Sequence, residues 1–195
     1  MRITGGDLRS RALKAPRGQA TRPTTDRVRE ALFAILTSAG VVEGAKVLDL
    51  YAGTGALALE ALSRGAATAL LVESSREALA ALRANVEALG LEERTRVVAG
   101  DVAQAVRRLA GAAPFDLVFA DPPWALVDAD AGLPGAVLSD LARRGGIATA
   151  GRVVLEHSSR TPPFDIDGLG RLETRRYGDT ALTFYKPAIL GALRQ

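Results

Sequence analysis

Between Lys46 and Leu155, short apolar runs alternate with amphipathic stretches, and this alternation constrains the fold more than any other feature of the chain. Lys46–Leu50, Ala69–Val72, Arg96–Ala99, Phe115–Ala120 and Arg152–Leu155 read as buried strands. Gly55–Ser63, Ser75–Leu89, Val102–Ala110 and Pro134–Arg143 read as the helices between them, with Leu79, Leu82, Val86 and Leu89 on one stripe of the second. Such a pattern predicts an open, mostly parallel sheet with helices on both faces. Ligands in sheets of this kind bind beyond the carboxyl ends of the strands, so the residues just after each strand are the ones to inspect.

The two ends of the chain read differently. Arg2-Ile3-Thr4 and Arg11-Ala12-Leu13 flank Gly5-Gly6-Asp7 and predict a small hairpin. A loop rich in Pro, Gly and Thr runs from Pro16 to Thr25. Next comes a helix over Asp26–Thr37, capped by Thr25 or Asp26, with Val28, Leu32, Ile35 and Leu36 on one face. Arg171–Tyr177 and Thr180–Tyr185 predict a closing hairpin around Gly178-Asp179. At 195 residues the chain has room for one core. The expected division is an arm over residues 1–25 and a single domain over residues 26–195.

Composition removes several chemistries. There is no cysteine, so disulfide scaffolds, Cys-ligated metal sites and Cys nucleophiles are excluded. His157 is the only histidine, which argues against a His-based metal centre or a Ser-His-Asp triad; no metal is expected. The longest uncharged stretch, Ala31–Val42, falls well short of the roughly 20 residues of a membrane-spanning helix. The N-terminus lacks the apolar run of a signal peptide. A cytoplasmic protein without a membrane partner is expected, with a monomer the favoured state.

Charge is unevenly placed. Residues 1–29 carry eight basic groups against Asp7 and Asp26, a net +6, whereas the remainder sums to −3. Arginines outnumber lysines 22 to 3, which suits the fork-shaped recognition of phosphate. A basic arm on a mildly acidic body points to a polyanionic partner near the arm, although a solvated tail reads the same on charge alone.

After the first sheet strand comes Asp49-Leu50-Tyr51-Ala52-Gly53-Thr54-Gly55. Gly53 and Gly55 permit a tight turn against which a ligand can lie, and the following helix aims its N–H groups at the same spot. Glu73 ends the second strand, where an acid accepts hydrogen bonds from ribose hydroxyls. Asp101 follows the third, as a partner for an adenine amino group or as a plain helix cap. Gly53-x-Gly55-x-x-Ala58 also fits a loose dinucleotide fingerprint, which brings in a nicotinamide or flavin oxidoreductase. Against that, Asp49 suits a cationic ligand better than a diphosphate. S-adenosylmethionine has an amino group, a positive sulfur and no phosphate.

The fourth strand ends in Asp121-Pro122-Pro123-Trp124. Consecutive prolines fix the backbone, remove N–H donors and leave carbonyls as acceptors. An exocyclic amino group on a base needs such acceptors, and an aromatic neighbour can stack on a base withdrawn from its helix.

Together these residues look like the amino-methyltransferase pattern, in which a D-L-x-x-G-x-G turn precedes a D/N-P-P-aromatic signature. The run Arg22-Pro23-Thr24-Thr25-Asp26-Arg27-Val28-Arg29-Glu30-Ala31-Leu32-Phe33 precedes Leu48-Asp49-Leu50-Tyr51-Ala52-Gly53-Thr54-Gly55-Ala56-Leu57. Glu60-Ala61-Leu62-Ser63-Arg64-Gly65-Ala66 and Asp121-Pro122-Pro123 follow. In these motifs the chain is similar to the RsmD-type family of bacterial 16S ribosomal RNA guanine-N2 methyltransferases, over nearly its whole length.

The resemblance implies a Rossmann-like S-adenosylmethionine-dependent methyltransferase fold: a mostly parallel seven-stranded sheet, an antiparallel C-terminal hairpin and a small N-terminal hairpin extension. It implies S-adenosyl-L-methionine as cofactor, held by Asp49, Tyr51, Gly53, Gly55, Glu73, Asp101 and Val102. Catalysis is expected at Asp121, Pro122, Pro123 and Trp124, the last standing where Phe or Tyr is common. The implied substrate is 16S rRNA in an assembled or partly assembled small (30S) subunit, methylated at the 2-amino group of one guanine. Arg9, Arg11, Arg17, Arg22, Thr24 and Arg29 are then expected on the RNA. The rival readings are an adenine-N6 DNA or RNA methyltransferase, which shares the signature, and a non-catalytic RNA-binding assembly factor.

Overall fold

A computed structural model describes residues 1–15, 25–109, 114–123, 127 and 132–188. The elements in chain order are α1 (Asp26–Ser38), β1 (Lys46–Asp49), α2 (Ala56–Ser63), β2 (Thr68–Glu73), α3 (Arg76–Leu89), β3 (Thr95–Ala99) and α4 (Val102–Arg108). β4 (Phe115–Ala120), α5 (Leu133–Arg143), β5 (Ile147–Ser158), β6 (Leu169–Tyr177) and β7 (Thr180–Pro187) complete them. The helices start where local chemistry dictates. The Thr25 hydroxyl accepts the Val28 N–H, the Ser75 hydroxyl the Ala78 N–H, and the Asp101 carboxylate the Gln104 N–H.

Seven strands form one sheet in the order β3-β2-β1-β4-β5-β7-β6. β1 to β5 pair in parallel, while β7 runs antiparallel to both β5 and β6. Chain order reverses between β1 and β4, so the helices on either side of that point cover opposite faces. On one face α1, α2 and α3 pack through Leu32, Phe33, Leu59, Leu82 and Val86. On the other, α4 and α5 pack through Val106, Val137, Leu138 and Leu141. Phe33 meets Phe119 of β4 at a ring-centroid distance of 5.8 Å, which sets α1 against the centre of the sheet.

The N-terminal hairpin forms as a short one: Arg2 bridges Ala12, and the Ile3 and Leu13 N–H groups donate to the Arg11 and Met1 carbonyls, both at 3.0 Å. Its turn lies on α2: Asp7 N–H bonds to the Ser63 carbonyl at 2.8 Å, and a Cβ on Gly6 would sit 1.8 Å from that oxygen. Ile3 and Leu13 are core residues, so the first 13 residues are packed in place. The expected strand Arg152–Leu155 is the middle of a longer one, β5, whose start is irregular. Phe115 pairs with Ile147 but Leu117 with Arg152, and Ala148–Gly151 bulges out between them. Apolar alternation, the signal used to find strands, is missing from that bulge. Leu79 also lies off the buried stripe of α3, whose core residues are Ala78, Ala81, Leu82, Asn85, Val86 and Leu89. No helix among the described residues is long and apolar enough to cross a membrane.

Candidate active site

The carboxyl ends of β1, β2, β3 and β4 bring Asp49, Glu73, Asp101 and Asp121 to one edge of the sheet. The turn after β1 is stitched to its neighbours. Leu50 N–H bonds to the Phe119 carbonyl of β4 and Ala52 N–H to the Val72 carbonyl of β2, both at 3.0 Å. Gly55 has φ +83°, and a Cβ there would lie 2.5 Å from Leu82 Cδ1, so only glycine fits. Gly53, at φ +54°, has no atom within 4 Å of where a Cβ would be. The turn is thus packed behind Gly55 and open in front of Gly53.

Asp49 is 1% exposed. Its Oδ2 accepts the Ala58 N–H at 3.3 Å, but Oδ1 has no hydrogen-bond partner. Burial pushes its carboxyl up to about 7; the Ala58 N–H opposes that shift and the Glu73 carboxylate adds to it. A buried acceptor without a donor costs about 1–3 kcal/mol, and a cationic donor would remove that penalty. A diphosphate would meet repulsion from Asp49 and Glu73 instead.

Glu73 has a second role that the sequence did not disclose. Its Oε2 accepts the Gly53 N–H at 2.7 Å, and its Oε1 accepts the Ser74 and Ser75 N–H groups at 2.8 and 2.7 Å. The residue expected to meet a ribose therefore also locks the glycine turn. A carboxylate has about four acceptor positions, which leaves capacity for a hydroxyl. Asp101 is exposed and caps α4 through the Gln104 N–H at 2.9 Å. Tyr51 is half-buried; burial first, and the nearby Asp101 charge second, push its hydroxyl up to about 12. Val102 is buried at the start of α4.

Asp121 is half-buried, Pro122 buried and Pro123 exposed. The Pro123 carbonyl accepts the Val127 N–H at 3.2 Å. Trp124, and Arg17, Arg22 and Thr24 of the basic loop, lie outside the described residues. Arg9 and Arg11 are exposed, and one Arg11 nitrogen donates to the Ala88 carbonyl at 3.0 Å.

Arg29 corrects the sequence reading. It is wholly buried and donates to Glu60 at 3.3 Å, to Asp26 at 2.9 Å and to the Arg2 carbonyl. A guanidinium so enclosed is not available to a phosphate. The residue it pairs with was not anticipated. Glu60, also wholly buried, accepts from the Thr4 N–H and hydroxyl, the Gly5 N–H, Arg29 and Arg64. It fastens the N-terminal segment to α2. Its signal was a lone charge in the apolar run Ala56-Leu-Ala-Leu-Glu60-Ala-Leu62. Asn85 was missed too, although it falls on the apolar stripe of α3 between Leu82 and Leu89. His157 takes no part in this edge. It is buried in β5 with its ring nitrogens 2.9 Å from the Ser158 carbonyl and 2.8 Å from the Thr183 hydroxyl.

A family model described as Conserved hypothetical protein 95 matches residues 1–186. YlbH of Bacillus subtilis, designated an rRNA methyltransferase, is 31% identical over 188 residues, covering 95% of this chain and 98% of that protein. Ribosomal RNA small subunit methyltransferase D of Escherichia coli is 44% identical over 124 residues, covering 64% of this chain and 60% of that protein. Among solved structures, yhhF of Escherichia coli, designated a methyltransferase, superposes with a TM-score of 0.80 at 34% identity, covering 96% of this chain and 97% of that one.

Proposed function

The chain belongs to the Conserved hypothetical protein 95 family of RsmD-type methyltransferases, and on that footing we propose that it methylates the 2-amino group of one guanine in 16S rRNA, using S-adenosylmethionine. The observation that carries the reading is the placement of Asp121-Pro122-Pro123 on β4, one strand over from the Asp49–Gly55 turn on β1, at the point where strand order reverses.

The residues fit the cofactor. Asp49, with its orphaned buried oxygen, would take the amino group; the turn, open at Gly53 and braced from behind at Gly55, would lie along the ligand. Glu73 would accept from ribose hydroxyls, and Tyr51, Asp101 and Val102 would flank the adenine. When bound, S-adenosylmethionine supplies a methyl group on a positively charged sulfur. The Asp121 carboxylate and the Pro122 carbonyl accept hydrogen bonds from the guanine 2-amino group and aim its nitrogen, while Trp124 stacks on the flipped base. As that nitrogen bonds to the methyl carbon, the carbon–sulfur bond would break with its electron pair staying on a then-neutral sulfur, and the proton then leaves the nitrogen for solvent. Positioning supplies most of the rate. Arg9, Arg11, Arg17, Arg22 and Thr24 contact RNA, and the substrate is an assembled or partly assembled small subunit in the cytoplasm.

The test is methyl transfer from labelled S-adenosylmethionine to small subunits of a strain lacking the gene, with digestion to nucleosides. Labelled N2-methylguanosine is the expected product. Label on adenosine would move the reaction to the adenine-N6 class. Measurable cofactor binding with no label on subunits or naked rRNA would overturn the RNA reading.

A further inference from the structure

The carboxyl edge of the sheet carries a second basic feature, away from the N-terminal segment. β5 pairs with β7 up to Ser158 opposite Thr180, and Thr180 closes the β6–β7 hairpin against Tyr177. Ala120, the last residue of β4, stands opposite Leu155. β5 thus runs three residues past the level at which β4 gives way to Asp121, about 10 Å at the usual strand rise. The hairpin tip therefore stands as a wall beside the catalytic edge, two and three strands over from β4. The loop after β5 is fastened to that tip: the Ser159 N–H bonds to the Asp179 carbonyl at 2.8 Å, and Arg160 Nη2 lies 3.9 Å from an Asp179 carboxylate oxygen. Two arginines project here. The Arg160 side chain is 86% exposed. Arg176 is exposed too, and it shares a cross-strand row with Ala181 and His157. Residues in one row leave the sheet on one face. His157 lies against Phe164 of the α4–α5 cluster, so Arg176 stands on the α4–α5 face. Arg175 takes the opposite face and pairs with Glu173 at 2.7 Å.

The N-terminal segment reaches the same edge on the other flank. It packs with α1, α2 and α3, and Lys14 meets Asn85, which also holds the Thr54 carbonyl of the glycine turn. Asp121 thus stands between a basic flank on the side of β1 to β3 and a basic wall on the side of β5 to β6. We propose that the hairpin wall is a second contact for the RNA backbone, with Arg160 and Arg176 holding phosphates on one side of the target nucleotide while the N-terminal segment holds the other. The inference rests on the rRNA reading. A nucleotide drawn out of its helix for methylation leaves the strand on either side of it to be gripped, and arginine forks match phosphate oxygens. Asp179 does not oppose this. An exposed pair at 3.9 Å is weak, and a guanidinium has five N–H donors, so Arg160 can keep that neighbour and take a phosphate oxygen. The sequence hid the wall because its two arginines are 16 positions apart in a part of the chain whose net charge is negative.

The test measures binding to small subunits and to naked 16S rRNA between about 50 and 200 mM salt. Arg160→Gln and Arg176→Gln are each expected to weaken binding about 3- to 10-fold at about 100 mM salt, and to lower the slope of log K against log salt by roughly 0.7–0.9. The double variant should lose about twice that slope. Arg176→Lys keeps the charge and should keep the slope. Both side chains are exposed and stand away from the glycine turn, so melting temperature and S-adenosylmethionine affinity should not move. A wild-type slope in the double variant overturns the proposal and leaves the rRNA reading standing, because binding itself persists. A loss of affinity with the slope unchanged also overturns it and marks the two arginines as structural. If the wild-type protein binds neither subunits nor naked rRNA with a salt-dependent affinity, the rRNA reading fails and this inference with it.

Discussion

The Asn85 side chain donates to the Thr54 carbonyl at 3.0 Å and thereby ties the glycine turn to α3. Its other amide hydrogen goes to the Lys14 carbonyl at 3.0 Å, and its oxygen accepts the Lys14 N–H at 2.7 Å. One buried amide thus joins the cofactor turn to the basic N-terminal segment. Asn85→Ala strips partners from three backbone groups and is expected to cost about 1–3 kcal/mol in urea denaturation. Cofactor and RNA dissociation constants should both rise, because both segments lose the same anchor. Lost stability with both affinities intact would reduce these bonds to scaffolding.

Arg29 and Glu60 form a buried pair, each 0% exposed. Removing one partner takes a buried, hydrogen-bonded counter-charge from the other, which is left with its more exposed charge partner: Asp26 for Arg29, Arg64 for Glu60. Arg29→Ala and Glu60→Ala are each expected to lose about 3–5 kcal/mol by chemical denaturation. Arg9→Ala and Arg11→Ala should change stability by no more than about 0.5 kcal/mol. Each should instead lower the slope of log K against log salt for RNA binding by roughly 0.7–0.9. An unchanged slope would remove those two arginines from the RNA contact.

Asp49 makes ligand-free stability depend on pH. Its carboxyl lies at about 7 in the fold against an ordinary 3.8, so the folded chain holds a proton that the unfolded chain has released. The resulting contribution is present in full below pH 4 and is lost as pH rises through 7. Against Asp49→Asn, which lacks this titration, the wild-type melting temperature should fall progressively from about pH 4 to pH 8. The variant should melt higher at pH 8. It should also bind S-adenosylmethionine at least about tenfold more weakly, since its neutral amide no longer attracts an ammonium group. Wild-type affinity should rise between pH 6 and pH 8 as Asp49 ionises for its cationic partner. A flat difference between the two melting profiles would show that Asp49 is ionised throughout.

The two glycines of the turn should separate stability from binding. Gly55→Ala places a methyl group 2.5 Å from Leu82 Cδ1 at positive φ, so unfolding and binding should both suffer. Gly53→Ala meets no atom within 4 Å and has only the positive φ to bear, about 1–2 kcal/mol. Its methyl group would point into the open ground in front of the turn and should weaken cofactor binding about tenfold or more. Calorimetric titration alongside thermal melts distinguishes the two; normal affinity in Gly53→Ala would move the ligand off this backbone.

Asp121→Ala is expected to lower kcat at least about 100-fold, as when a positioned hydrogen-bonding group is removed from a reacting centre. S-adenosylmethionine affinity should be unchanged, because Asp121 follows β4 and the cofactor residues follow β1, β2 and β3. Near-normal turnover would defeat the proposed chemistry.

Much of the fold was legible because its signals are local. A strand shows in four to six consecutive apolar residues, a helix start in one capping hydroxyl or carboxylate, and a tight turn in Gly53-x-Gly55. β4 spans Phe115–Ala120 as expected, and α3 begins after Ser75 and ends before Gly90. The edge carrying Asp49, Glu73, Asp101 and Asp121 followed from one rule about where parallel strands end. Arg29 was misjudged for a matching reason. In sequence it stands among exposed arginines, and nothing nearby shows that Glu60 lies against it.

The sequence alone therefore determined the order of strands and helices and the placement of the four acids after their strands. Only the tertiary structure decided the setting of these side chains: Arg29 locked in the core, Glu73 bonded to the glycine turn, the Asp49 carboxyl pushed up to about 7 by burial and Asn85 bridging two segments. The physical reason is range. Secondary structure answers to neighbours within a few residues, whereas the contacts that set burial and charge here link positions as far apart as 31, 56 and 71 residues. A carboxylate and a guanidinium read the same in a sequence whether water or a protein core surrounds them, and their free energies in those two settings differ by several kcal/mol.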